Sequence, residues 1–129
     1  MVNKVVIDTS ALIEYVYATS KGVVVKDVLE NSENYVVIPT VVLAELVSKL
    51  KRLGHNPASI ISFLESFASF TGLDIQTAIS AGERHAELRK LDNKVGFIDC
   101  VIMQIAHEHD ALILTSDSGF KHYKKTKFL

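Results

Sequence analysis

Asp8, Glu45, Asp99 and Asp117 are carboxylates placed at four junctions between apolar segments of the chain. Asp8 closes the run Val5-Val6-Ile7, and Asp117 follows Leu112-Ile113-Leu114-Thr115-Ser116. Acids at adjoining strand ends of a parallel sheet point into one crevice, so residues remote in sequence can meet there. Carboxylates brought within about 4–6 Å of one another repel, and at least one pKa rises unless a cation neutralises them. A hard divalent ion such as Mg2+ or Mn2+ suits carboxylate oxygen and keeps several of its waters. The chemistry implied is metal-dependent attack on a phosphate.

Each acid also has a plainer use. Asp8 suits a helix cap or Asx turn, Asp99 suits an N-cap, and Ser116-Asp117-Ser118-Gly119 is good turn chemistry. Glu45 stands four residues before Lys49, an arrangement that an ordinary helical ion pair would explain. The case for a site rests on joint placement, which depends on the elements that carry the four residues.

Residues 2–7 read as a short buried strand, and a helix follows with Ala11, Leu12, Tyr15 and Val16 on one face, capped by Thr9 or Ser10. A second helix is predicted over about 22–31, ended by Asn31-Ser32-Glu33-Asn34. Tyr35-Val36-Val37-Ile38 is a second strand, and Pro39 suits the opening of a helix over 40–53. Gly54 stops that helix, and Asn56-Pro57 starts another carrying Ile60, Ile61, Leu64 and Phe67. Leu73-Asp74-Ile75 reads as a weak strand, followed by a charged helix over 76–91 and an apolar one from Ile98-Asp99 to about 109. Ala111–Leu114 is the strongest strand pattern, and Thr126–Leu129 reads as an edge strand or a disordered end. Short apolar strands alternating with helices predict one α/β domain over 1–129: three α/β/α layers around a parallel sheet of four to five short strands.

Composition sets limits on partners. The chain has 129 residues, long enough for a core that needs no disulfide, and its single cysteine, Cys100, suits a reducing cytoplasm or simple burial. No apolar run approaches the about 20 residues that span a bilayer, and no leader pattern stands at the start, so a cytoplasmic protein is expected. A net charge of −1 means that phosphate must be met by a local patch or by bound cations. Candidate contacts are Lys49, Arg52, Arg84, Arg89 and the terminal group Lys121, Lys124, Lys125 and Lys127, with Tyr123 either stacking on a base or packing on the core. His107-Glu108-His109-Asp110 is dense in ligand types, but residues i and i+2 face different sides of a helix, which argues against zinc.

The segments around the four acids resemble the PIN-domain nucleases, and among them the small VapC-type toxins. The resemblance is carried by Val6-Ile7-Asp8-Thr9-Ser10, by Pro39-Thr40 through Ala44-Glu45, by Ile98-Asp99-Cys100 through Ala106, and by Leu112 through Asp117 with Phe120 beyond. It implies an acidic quartet of Asp8, Glu45, Asp99 and Asp117 holding Mg2+ or Mn2+, with Asp8 and Asp99 as the firmest ligands. Ser10 and Thr115 match supporting hydroxyl positions, and Thr9 is a third candidate. The stretch after Thr115 departs from many toxin-type members, which carry a basic residue before the Asp and a further acid after it. The implied activity is metal-dependent endoribonuclease, leaving 5′-phosphate and 3′-hydroxyl ends, with an antitoxin partner and a homodimeric assembly. The exposed apolar faces of the helices at 11–31 and 40–53 are candidate surfaces for such partners.

Three other functions compete: an RNA-processing PIN nuclease without an antitoxin, a small-molecule phosphatase, and a receiver-like binding module. The phosphatase reading wants a second Asp two positions after Asp8, where Ser10 stands. The receiver reading wants adjacent acids near the first strand and a Lys after a late one; the chain has neither.

Overall fold

The computed structural model describes residues 3–129 and contains one five-stranded parallel sheet flanked by six α-helices. Its strands are β1 (Asn3–Ile7), β2 (Asn34–Pro39), β3 (Ser69–Thr71), β4 (Leu112–Thr115) and β5 (Thr126–Phe128), in spatial order β3-β2-β1-β4-β5. The helices are α1 (Thr9–Val16), α2 (Ser20–Glu30), α3 (Thr40–Arg52), α4 (Ala58–Phe67), α5 (Ile75–Leu91) and α6 (Phe97–Glu108). The chain steps outward from β1 to β3, then crosses back through α5 and α6 to β4. Right-handed crossovers therefore place α1–α4 over one face and α5–α6 over the other. The three-layer α/β/α arrangement is the one predicted from the alternation of patterns.

β1 is the centre of the sheet, and its register explains its composition. Val5 pairs with Val36 and Leu112, Val6 with Val37 and Ile113, and Ile7 with Leu114. All three are buried, so this strand is apolar on both faces, as a sheet covered twice requires. Leu12, Leu46, Leu64, Ile102, Met103 and Phe120 complete a continuous core. α2 approaches α1 so closely that a Cβ on Gly22 would lie 2.2 Å from the carbonyl oxygen of Glu14, so only glycine fits there.

Several boundaries differ from the sequence reading. Position 2 of the first predicted strand lies outside the described residues, and β1 starts at Asn3. Pro39 ends β2 instead of opening a helix, and Thr19 caps α2 two positions before the predicted start. The strand predicted at Leu73-Asp74-Ile75 does not form. Asp74 instead caps α5, accepting the Thr77 N–H at 2.8 Å, and β3 forms earlier, pairing Val37 with Ser69 and Ile38 with Phe70. The terminal segment is ordered as the edge strand β5, pairing Ile113 with Thr126.

Candidate active site

The chain reverses its direction of progress across the sheet between β1 and β4, and a crevice opens there beyond the carboxyl ends of the strands. Asp8 follows β1 directly and is 4% exposed. It is the N-cap of α1, where its Oδ1 accepts the Ala11 N–H at 3.3 Å. Thr9 and Ser10, predicted as caps, lie inside the helix and turn their hydroxyls to the crevice residues.

The hydroxyls form a chain with one consistent proton order. Ser10 Oγ donates to Asp8 Oδ1 at 2.9 Å and accepts the Ser116 N–H at 3.0 Å. Its single proton is thereby committed, so in the 3.1 Å contact with Thr115 the threonine hydroxyl is the donor. Thr115 Oγ1 in turn accepts the Asp117 N–H at 2.9 Å. Thr115 is fully buried at the end of β4, and this network ties that end to the end of β1.

Asp117 accepts the Gly119 N–H at 2.8 Å and caps a short 3-10 turn, Ser118–His122. Asp99 lies in the first turn of α6; Gly96, not Asp99, is the cap. The two acids close on Gly119, where an added Cβ would stand 2.7 Å from Asp99 Oδ2 and 3.2 Å from Asp117 Oδ1. Glu45 lies on the exposed side of α3, and Thr9 Oγ1 donates to its Oε1 at 3.1 Å. Among the described residues no ion pair joins Glu45 to Lys49, so the helical-pair explanation of Glu45 does not hold.

All four acids line one crevice of about 370 Å³, together with Glu14 and Lys49. Burial pushes the Asp8 carboxyl up to about 6 against the pull of its hydrogen bonds, and the Asp117 charge adds to the rise. Asp99 is raised to about 6 by burial and then by the charges of Asp117, Asp8 and Glu45. The quartet therefore shares one electrostatic field. An all-oxygen set of this charge fits a hard divalent cation. Among the described residues no three Asp, Glu, His or Cys side chains yet converge as a ligand shell. That spacing suits like charges held by Thr9, Ser10 and backbone N–H groups.

The other candidates fall elsewhere. Glu108 accepts from Thr77 and Gln104, and Asp110 pairs with Lys125, so the His107–Asp110 cluster is engaged in structural contacts. Tyr123 packs against the core and donates its hydroxyl to the Ala111 carbonyl at 2.7 Å, which removes it from base stacking. Cys100 is buried. The apolar residues Val42, Leu46 and Leu50 of α3 are in the core, so that helix offers no apolar docking face. The open apolar groove, about 570 Å³, lies between α1, α2 and α4 and is lined by Tyr15, Val16, Val23, Ile60 and Phe63. Glu14 is the crevice residue that sequence patterns did not flag; its position seven residues before a turn carries no signal. No helix among the described residues is long and apolar enough to cross a membrane.

A PIN-domain family model matches residues 5–126. Among solved structures the chain is similar to VapBC2 from Rickettsia felis, bound to a DNA fragment from its promoter, with 22% identity, 98% of each chain covered and a TM-score of 0.76. DNA-bound VapBC from Salmonella typhimurium shares 18% identity over 100% of this chain and 98% of that one, at a TM-score of 0.73. The sarcin-ricin-loop-cleaving toxin VapC20 of Mycobacterium tuberculosis shares 13% over 94% and 95%, at 0.72. No curated protein sequence matches the chain significantly.

Proposed function

The chain belongs to the PIN-domain family, and from that premise we propose that its acidic crevice is a Mg2+- or Mn2+-dependent endoribonuclease site, acting as the toxin of a toxin–antitoxin pair. The observation that carries the reading is the coupling of Asp8, Glu45, Asp99 and Asp117 across one crevice at the sheet's switch point. Burying two raised carboxylates beside two more acids opposes folding, and stability alone gives no reason to assemble them.

In this reading Asp8 and Asp99 hold the cation, with Asp117 and Glu45 completing its surroundings. When bound, the ion neutralises the carboxylates and the phosphate and makes a water more acidic. The protein's own part is positioning. Ser10 fixes the Oδ1 edge of Asp8, Thr115 fixes Ser10, and Thr9 restrains Glu45. Water attacks phosphorus in line with the departing 3′ oxygen, which takes up a proton, and the products carry 5′-phosphate and 3′-hydroxyl ends. No Ser, Cys or His nucleophile is needed.

The partner reading draws on the VapBC complexes among the similar structures. An apolar antitoxin segment would fill the groove between α1, α2 and α4. A homodimer would cover Leu73, Ile75 and Ile79, which are 50%, 82% and 52% exposed near the start of α5. Sedimentation of the purified chain at micromolar concentration tests that assembly. The activity is tested with Asp8→Asn and Asp99→Asn, each expected to abolish internal cleavage of RNA in Mg2+ while circular dichroism stays native. Full activity of both variants would sink the assignment. Release of inorganic phosphate alone, from any substrate, would point instead to the phosphatase class.

A further inference from the structure

A second polar network lies at the opposite end of the sheet from the acidic crevice. Apart from Asp8 and Thr115, the buried polar side chains among the described residues are Thr77 and Gln104, 4% and 8% exposed. Thr77 Oγ1 donates to Glu108 Oε1 at 2.6 Å, and Gln104 Nε2 donates to Glu108 Oε2 at 2.9 Å. Gln104 Oε1 then accepts from Arg84 Nε at 3.1 Å. This chain of bonds across the α5–α6 interface holds one edge of the Arg84 guanidinium. Its two terminal nitrogens, the pair that suits bidentate contact with an oxyanion, are not needed for that bond.

Arg84 lines a pocket of about 380 Å³ that also takes in Lys124, Lys125, His107 and His122, with Asp110 as its single acid. Asp110 is already paired with Lys125, and His122 is paired with Asp92 at 2.8 Å. Among the described residues neither Arg84 nor Lys124 has an ion-pair partner. A buried amide that orients an arginine toward an open pocket, with a second free cation on the same wall, is the arrangement of an oxyanion receptor.

We propose that this pocket binds a backbone phosphate of the nucleic acid at a point remote from the one that is cut. Asp110 precedes β4 and Lys124 precedes β5, whereas the acidic crevice lies past the end of β4. The five residue steps from Ala111 to Ser116 span about 17 Å, which is about five base-pair steps of a duplex. The pocket is therefore an anchor for long substrates, and a short oligonucleotide would not reach both ends. The inference rests on the nucleic-acid reading of the crevice. Binding measured in chelator needs no cleavage, so the two can fail separately.

The test is binding of a 30-nucleotide structured RNA to the full chain in EDTA, by fluorescence anisotropy from 50 to 300 mM KCl. Arg84→Gln with Lys124→Gln is expected to weaken binding about tenfold or more at the lowest salt. The slope of log K against log salt is expected to fall by about 1.4 to 1.8, for two phosphate-facing charges removed. Lys124→Gln alone is the surface variant that keeps the Arg84–Gln104 bond; it is expected to lower the slope by about half as much. Unchanged affinity and slope in both variants would overturn the proposal. So would an effect limited to inorganic phosphate, followed by NMR shifts of the His107 and His122 rings, because the pocket would then be a free-anion site. Loss of an acidic peptide partner with RNA binding intact would overturn it too.

Discussion

Replacing Asp8 with Asn is expected to stabilise the metal-free protein while removing its activity. Asp8 is 4% exposed, and its carboxyl is raised from 3.8 to about 6, chiefly by burial. The unfolded chain ionises this group near 3.8, whereas the folded chain resists ionisation until about 6. At pH 7 the folded state therefore carries a penalty of about 3 kcal/mol, at 1.36 kcal/mol per pH unit. The penalty is fully present above about pH 6, shrinks as pH falls through the folded value, and is absent below about pH 4. Asn keeps the Oδ1 acceptor for the Ala11 N–H and the Ser10 hydroxyl, so the cap of α1 survives. The helix dipole favours the ionised form by up to about 1 kcal/mol, leaving a net gain of about 2–3 kcal/mol for Asp8→Asn. In a domain of this size that gain raises Tm by roughly 8–12 °C. Differential scanning calorimetry of both proteins in EDTA at pH 7 and pH 4.5 reads it directly. The Tm difference should be large at pH 7 and mostly gone at pH 4.5. A variant less stable than the parent at pH 7, or a gain that ignores pH, would refute the claim that Asp8 is held against its electrostatic preference.

Other perturbations separate the parts of the site. Saturating Mg2+ at about 100 times its Kd should raise the stability of the native protein by about 2.7 kcal/mol and leave Asp8→Asn nearly unmoved, read by thermal shift. Gly119→Ala places a methyl 2.7 Å from Asp99 Oδ2 and should force that carboxylate away from Asp117, raising the Mn2+ dissociation constant at least tenfold by calorimetry with little change in Tm. Ser10→Ala strips Asp8 of a donor and leaves the Ser116 N–H unpaired, and should cost about 1–3 kcal/mol in denaturant melts as well as activity. Gly22→Ala drives a Cβ into the Glu14 backbone and should cost more than about 2 kcal/mol without altering metal affinity once refolded.

The acids at strand ends were legible because an apolar run that stops on a carboxylate leaves few places for that carboxylate but the rim. Asp8 and Asp117 follow that rule, and the alternation of patterns was enough to set the layers. Glu45 was not legible by itself. Its tie to the crevice is a hydroxyl 36 positions away, Thr9, and on α3 it looks like any exposed glutamate. Leu73 and Ile75 misled for a different reason: two apolar residues flanking one polar residue imitate a strand, but Asp74 gains more by capping the 17-residue helix α5. Thr9 and Ser10 were good cap residues outcompeted by Asp8, which freed their hydroxyls for the site. Gln104 gave no signal at all, since it lies within an apolar stripe and its role appears only when Arg84 and Glu108 are brought beside it.

The central claim is that the quartet holds the divalent cation on which RNA hydrolysis depends. Its most direct test is cleavage of a 5′-labelled structured RNA by the native chain as Mg2+ is titrated from EDTA upward, with the product ends identified. The account predicts no cleavage in EDTA, saturable onset with Mg2+ or Mn2+, internal cuts, and 5′-phosphate with 3′-hydroxyl ends. Equal cleavage in EDTA, or products ending in 2′,3′-cyclic phosphate, would contradict it.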